Sequence, residues 1–329
     1  MNVIATGFAF SFAYEEKYGT SAQLSGGTDL NRLEIYMKNM VVSLVSIKRQ
    51  NPEDEVMLIV NCDIPEVFAG YVKKLKNNGI VIRTVEYDCF RFPEDFPWSL
   101  AAFKLCVLKY LSDSEYERAM IIDCDTYTVH PYTELWTEAD AGLMLYNLGH
   151  SYEHEERVIM RGTYARMYPE GTDHIVHYGG EFICGRRDDL KLYAAKCQAV
   201  YDRMKEISFD VDKIRTNDET VMAFAAAEYK KSKPVIESGA YIYRYWTEKK
   251  FYLVSTNAFY NPVCIWHLPS EKNRGLLIMY NYFIKNNEFP DIDKAAKIFG
   301  IVKGRRPYPL ATAYAQWVRA RSKKKTEVE

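Results

Sequence analysis

Four short apolar runs, separated by longer amphipathic segments, constrain this chain more than any other feature of its sequence. They cover residues 2–6, 56–60, 80–85 and 119–122. Each is too short for a helix to declare itself and reads as a strand buried on both faces. Between the first two runs, Leu33, Met37, Met40, Leu44 and Ile47 recur at helical spacing. Thr28 or Asp29 supplies an N-cap for that helix, and Asn51-Pro52 ends it. A second helix over 67–77 stops at Gly79, and a third, capped by Ser99, runs to Leu111 after a loop punctuated by Pro93 and Pro97. Strand and helix in alternation predict an α/β fold, with a mostly parallel central sheet, right-handed crossovers and helices on both faces. Such sheets bind ligands beyond the carboxyl ends of their strands.

At that end of the fourth run stands Asp123-Cys124-Asp125. Alternate residues of a strand share a face, so the two carboxylates can grip one divalent cation, or one cation and one sugar hydroxyl. A solvated turn or an Asx cap is the bland alternative. Oxygen ligands suit Mn²⁺ or Mg²⁺ better than a thiolate-seeking metal, and Cys124 is expected to turn into the sheet. Thr6-Gly7 closes the first strand at the same edge. No Gly-x-Gly-x-x-Gly follows it and no Walker lysine motif occurs, which disfavours dinucleotide dehydrogenases and P-loop enzymes.

Composition narrows the class further. With 329 residues, 48% of them hydrophobic, the chain can bury a substantial core, and its net charge of -1 provides no global attraction to nucleic acid. Seven scattered cysteines without a Cys-x-x-Cys pair favour reduced thiols and a cytoplasmic setting. Residues 3–13 lack the basic flank of a signal peptide, and no apolar stretch reaches the roughly 18 residues of a transmembrane helix.

Further along, the sequence resembles a known group. Ile121-Ile122-Asp123-Cys124-Asp125-Thr126, with a helix around 132–136 and a strand at 142–146, looks like a GT-A glycosyltransferase. His177-Tyr178-Gly179-Gly180-Glu181-Phe182-Ile183-Cys184-Gly185, with Asn217-Asp218-Glu219-Thr220 downstream, is similar to the retaining blood-group A and B transferase family. His267-Leu268-Pro269-Ser270-Glu271-Lys272, after a strand at 263–266, looks like the histidine–lysine motif of the glycogenin and lipooligosaccharide galactosyltransferase family. Ser270 stands where that family has glycine, and the lysine comes one residue early.

The resemblance spans residues 1–275, a GT-A catalytic domain with a nucleotide-binding half at 1–130 and an acceptor-binding half at 131–275. Residues 276–329 are expected to form a C-terminal helical and basic extension. The resemblance implies transfer of a hexose from a nucleotide sugar, first a UDP-sugar, to a glycan or glycolipid, with retention. Asp123, Asp125 and His267 would hold the metal, and Thr6, Gly7, Lys104, Gly179, Gly180 and Lys272 would meet the donor. Gly179-Gly180 reads as a place where backbone approaches a ligand, since a Cβ would collide. Glu219 is the first choice for the carboxylate beneath the anomeric carbon, with Asp218 beside it and Glu181 as second choice. A sugar-nucleotide pyrophosphorylase shares the sheet and the carboxylates, but expects basic residues after the first strand. A non-catalytic carbohydrate-binding protein is the third reading, and it has no need of the Asp pair.

Two segments lie outside these motifs. Residues 147–178 carry His150, His154, His174 and His177 with Tyr152, Tyr164 and Tyr168, and read as an acceptor-binding flap. His150-x-x-x-His154 has a spacing that suits zinc, but no third ligand stands beside it in the sequence. From Lys303 onward, clustered Lys and Arg beside Tyr308, Tyr314 and Trp317 suit peripheral contact with an anionic membrane.

Overall fold

Four parallel-running strands, β1 (Asn2–Phe8), β2 (Glu55–Val60), β3 (Ile80–Thr84) and β4 (Arg118–Ile122), make one half of a seven-stranded sheet. The other half contains β6 (Leu143–Asn147), β7 (Tyr178–Arg186) and β8 (Val235–Glu237). Strand order is β3-β2-β1-β4-β7-β6-β8. Only β7 runs against its neighbours β4 and β6, so the sheet is mostly parallel, as expected. A smaller sheet of β5 (Thr126–Thr128), β9 (Ile242–Arg244) and β10 (Ile265–His267) has the order β5-β10-β9. The computed structural model describes residues 1–11, 29–93, 95–171, 174–213, 215–245 and 256–301.

Period-two alternation sends each strand's side chains into two separate cores. Ile4, Val56, Leu58, Val60, Met120 and Ile122 pack with α1 (Asp29–Gln50), α2 (Ala69–Asn77), α4 (Thr133–Ala139), α8 (Gly275–Asn286) and α9 (Ile292–Phe299). The small sheet lies on this face too, through Tyr127, Ile242 and Trp266. Val3, Ala5, Met57, Ile59, Ala119 and Ile121 point the other way, to α3 (Phe103–Ser112), α5 (Glu155–Met167), α6 (Arg187–Glu206) and α7 (Asp218–Tyr229). Helices on both faces are thus present, and they explain why the parallel strands carry apolar residues at successive positions through their buried middles.

Several local expectations change. The third helix opens with a 3₁₀ turn, Ser99–Ala102, and the Ser99 side chain caps nothing. Residues 155–167, read as flap, form α5, with Met160, Tyr164 and Met167 in the core. Beyond residue 275, Leu276, Met279, Phe283, Ala296 and Phe299 share the core of α1, so α8 and α9 pack as part of the main body. The basic segment from Lys303 lies outside the described residues. No helix among the described residues is long and apolar enough to cross a membrane.

Candidate active site

The chain leaves the large sheet at Ile122, turns through Asp123-Cys124-Asp125 and enters the small sheet at Thr126. The Asp pair therefore sits in the turn joining two sheets, one step past the strand end expected. Backbone bonds tie both sides down: Asp123 N donates to Glu181 O at 3.2 Å, and Leu268 N donates to Asp125 O at 2.9 Å. Antiparallel pairing of β5 with β10 sets His267 opposite Thr126, which brings its ring to Asp125. Parallel pairing of β10 with β9 sets Arg244 beside His267. Cys124 turns into the core as expected.

Asp123, Asp125 and His267 each offer one ligand atom, all within 4.8 Å of one another. Nε2 of His267 is 3.4 Å from Asp125 Oδ1, and Nδ1 is 3.2 Å from Glu181 Oε1. Arg244 Nη1 also lies 3.2 Å from Glu181 Oε1. Two lysines complete the group: Lys272 pairs with Asp125 Oδ2 at 2.5 Å, and Lys104 with Asp123 Oδ1 at 2.8 Å. The loop bearing Lys272 is held by buried Glu271, whose Oε2 accepts from Gly275 N at 2.9 Å and which pairs with Arg274.

Across Lys104 stands the start of α7. Asn217 closes a capping box there, its side chain accepting from Thr220 N at 3.2 Å. Asp218 and Glu219 thereby occupy the first helical turn, where carboxylates are favoured by the helix dipole. Asp218 Oδ2 lies 3.4 Å from Lys104 Nζ. Glu219 accepts from Gly180 N at 3.0 Å and from His177 Nε2 at 3.0 Å.

The glycine pair is packed closely by its own protein neighbours. A Cβ on Gly180 would stand 2.5 Å from Asp218 Oδ2 and 2.9 Å from Lys104 Nζ, and one on Gly179 would fall on the Glu181 carboxylate. Protein side chains fill the space these glycines leave. Thr6 and Gly7 also make close contacts within the fold. Thr6 Oγ1 donates to Ile122 O at 2.9 Å, tying β1 to the end of β4, and a Cβ on Gly7 would collide with Val107 of α3.

Burial and charge act against each other throughout. Burial disfavours the Asp125 carboxylate, yet Lys272 and His267 outweigh it and hold the group well below the usual range. Glu181 is lowered in the same way, against its burial, by His267 and Arg244. Burial opposes the His267 imidazolium, but Asp125 and Glu181 raise it to about 9. The two α7 carboxylates separate. Burial raises Asp218 despite Lys104, with Glu219 adding to the rise. Glu219 overcomes its burial through His177 and the Gly180 N–H and falls to about 2. Neighbouring carboxylates driven apart in this way take different roles.

Five carboxylates, Asp123, Asp125, Glu181, Asp218 and Glu219, face three fixed cations, Lys104, Lys272 and Arg244, and the His267 imidazolium, whose proton a metal ion would displace. The excess negative charge, with two carboxylates and an imidazole in reach of one point, fits a hard divalent cation. A cleft of about 280 Å³ opens beside Glu219, lined also by Trp98, Glu156, Met160, His177 and Asn217. Of the residues expected near an acceptor, His177 lines this cleft. Tyr164 does not: it is fully buried, its hydroxyl bonded to Glu228 and its ring against Phe224. His174 is exposed and is not among the residues lining the cleft.

No protein-family model matches the chain, and no curated protein matches it. Among solved structures it is similar to the galactosyltransferase LgtC in complex with donor and acceptor sugar analogues. That likeness has a TM-score of 0.48 and 13% identity over 80% of this chain and 86% of that one. Mouse xyloside xylosyltransferase 1 in its apo form gives 0.46 and 11%, over 81% of this chain and 97% of that one. An active-site mutant of LgtC gives 0.49 and 15%, over 80% and 86%.

Proposed function

We propose that this chain is a metal-dependent glycosyltransferase that moves a hexose from a UDP-sugar to a glycan or glycolipid acceptor with retention. The convergence of Asp123, Asp125 and His267 on one side of Lys104 with an ionised Glu219 on the other carries this reading. Asp123, Asp125 and His267 would hold Mn²⁺ or Mg²⁺, which would supply positive charge to neutralise a departing diphosphate. Lys272, on the far side of Asp125, adds a fixed positive charge for the same oxygens. Glu219 stays ionised and lines the cleft, so its carboxylate can stabilise positive charge developing at the anomeric carbon. His177 and the Gly180 N–H fix both oxygens of that carboxylate, and the acceptor enters along Trp98 and Met160.

A thermal-shift screen of UDP-, GDP- and CMP-sugars with Mn²⁺ or EDTA tests this. A rise in melting temperature with a UDP-sugar in Mn²⁺ and none in EDTA is expected. Equal rises in both conditions would refute a metal-held donor, and product formation from a sugar phosphate and nucleoside triphosphate would favour a pyrophosphorylase.

A further inference from the structure

Two histidines of the segment expected to bind acceptor meet a glutamate of α5. His150 in the loop after β6, Glu156 in the first turn of α5 and His177 just before β7 each direct one ligand atom to a common point. Nδ1 of His150 lies 3.1 Å from Nδ1 of His177. Glu156 Oε2 is 3.5 Å from the first and 3.4 Å from the second. Bonds of about 2.1 Å at the tetrahedral angle place ligand atoms about 3.4 Å apart. The triangle has the size of one face of a tetrahedral zinc shell.

Proton placement agrees with the distances. A carboxylate only accepts, so Nε2 of His177, 3.0 Å from Glu219 Oε2, carries that ring's proton. Its Nδ1 faces the His150 nitrogen and the Glu156 carboxylate, where the neutral ring would offer a lone pair. One proton on His150 cannot serve both neighbours well, whereas a cation satisfies all three. A carboxylate behind a ligating imidazole is also the common support of metal-bound histidine.

The surroundings hold the three residues in place. Arg157 donates to His150 O at 2.8 Å and to Ile175 O at 2.9 Å, clamping both histidine-bearing segments. Leu148 N donates to His177 O at 3.1 Å. The His154 ring stacks on His150 at 3.7 Å and 12°, so it fixes that ring's plane. The zinc-like spacing of His150 and His154 is thus a stacking pair, with the ligand partners supplied by α5 and the start of β7.

We propose that His150, Glu156 and His177 form a second cation site, for a zinc-class divalent ion, separate from the Asp123-Asp125-His267 cluster. Two imidazoles and one carboxylate leave the fourth position open. Glu156 and His177 line the cleft, so that position is available to water or to an oxygen of the cleft's occupant.

Cobalt titration of the EDTA-stripped full chain tests the site, because tetrahedral Co²⁺ absorbs far more strongly in the visible than six-coordinate Co²⁺. An intense band is expected in wild type and in Asp123→Asn, with its loss in His150→Ala and Glu156→Gln. Glu219→Gln, which removes the support behind His177, should weaken cobalt binding by about 10–100-fold. Absence of the band in wild type, its survival in both His150→Ala and Glu156→Gln, or its loss in Asp123→Asn would each overturn the proposal. Should His150→Ala fail to fold by near-UV dichroism, Glu156→Gln decides alone, since Glu156 is a half-exposed helix residue.

Discussion

The Lys104 ammonium stands 2.8 Å from Oδ1 of Asp123 and also reaches Oδ2 of Asp218 at 3.4 Å. One buried cation thus joins the metal-side turn to the first turn of α7. Burial works against its charge, and the two carboxylates hold it well above the ordinary lysine range.

Removing that cation strands Asp218, which is buried. Lys104→Met should cost about 3–5 kcal/mol in urea denaturation. Adding Asp218→Asn should recover part of the loss, and strictly additive costs would show that the two are not coupled.

Gly180→Ala should destabilise by about 1–3 kcal/mol, since the added methyl meets a carboxylate and an ammonium that cannot both move away. Gly162→Ala on α5 is the control. Nothing lies within 4 Å of a Cβ there, so the change should be neutral or stabilising by up to about 1 kcal/mol. Equal losses in the two variants would discount the steric argument.

In EDTA, stability should fall as pH rises from about 6.5 to about 9. Folded His267 keeps its proton to about 9 while the unfolded chain releases it near 6.5, so the folded state binds more protons in this window. The stabilisation is full below 6.5 and is lost through 9, about 3 kcal/mol in all. Asp125 acts at the other end: its contribution is present above about pH 4 and is lost on acidification. Urea midpoints of wild type and His267→Gln across pH 6 to 10 measure the first effect, and parallel curves would remove His267 as its source.

Asp125→Asn and Glu219→Gln should each lower transfer by roughly three decades, from a charge interaction of about 4 kcal/mol at 4 Å. They should differ in binding. Asp125→Asn should abolish the Mn²⁺-dependent thermal shift by UDP, and Glu219→Gln should keep it. The same binding loss in both would place Glu219 on the donor-metal side.

Alkylation should distinguish the thiols. Cys62 is exposed, whereas Cys124, Cys184, Cys197 and Cys264 are buried, and burial pushes each of these four thiols up. Iodoacetamide followed by peptide mass spectrometry should label Cys62 first and those four only after denaturant is added.

The sheet was legible because each parallel strand is apolar at successive positions, as Val56 through Val60 are, and because turns and caps bounded the helices between them. Asp123 and Asp125 were legible for the same reason, as charge ending an apolar run. What local pattern could not place was the company they keep. Arg244 reaches the site only through the pairing of β9 with β10, and no motif marks it. The bond from the Thr6 hydroxyl to Ile122 O, across a long stretch of chain, is likewise invisible to local pattern. The helix α5 did carry a signal: Met160, Thr163, Tyr164 and Met167 follow helical spacing and are all buried. Thr163, and Arg157 buried six residues earlier, diluted its apolar count, and the histidines nearby favoured a flap reading.

Asp123 borders the large sheet, Asp125 borders the small one, and His267 belongs to the small one. An ion bridging them would tie the seating of the small sheet and cation affinity into one reciprocal equilibrium. Each factor by which cation binding favours the seated sheet must then return as the same factor in affinity. Amide exchange along β5, β9 and β10 would therefore report cation occupancy, including in strands that hold none of the ligands.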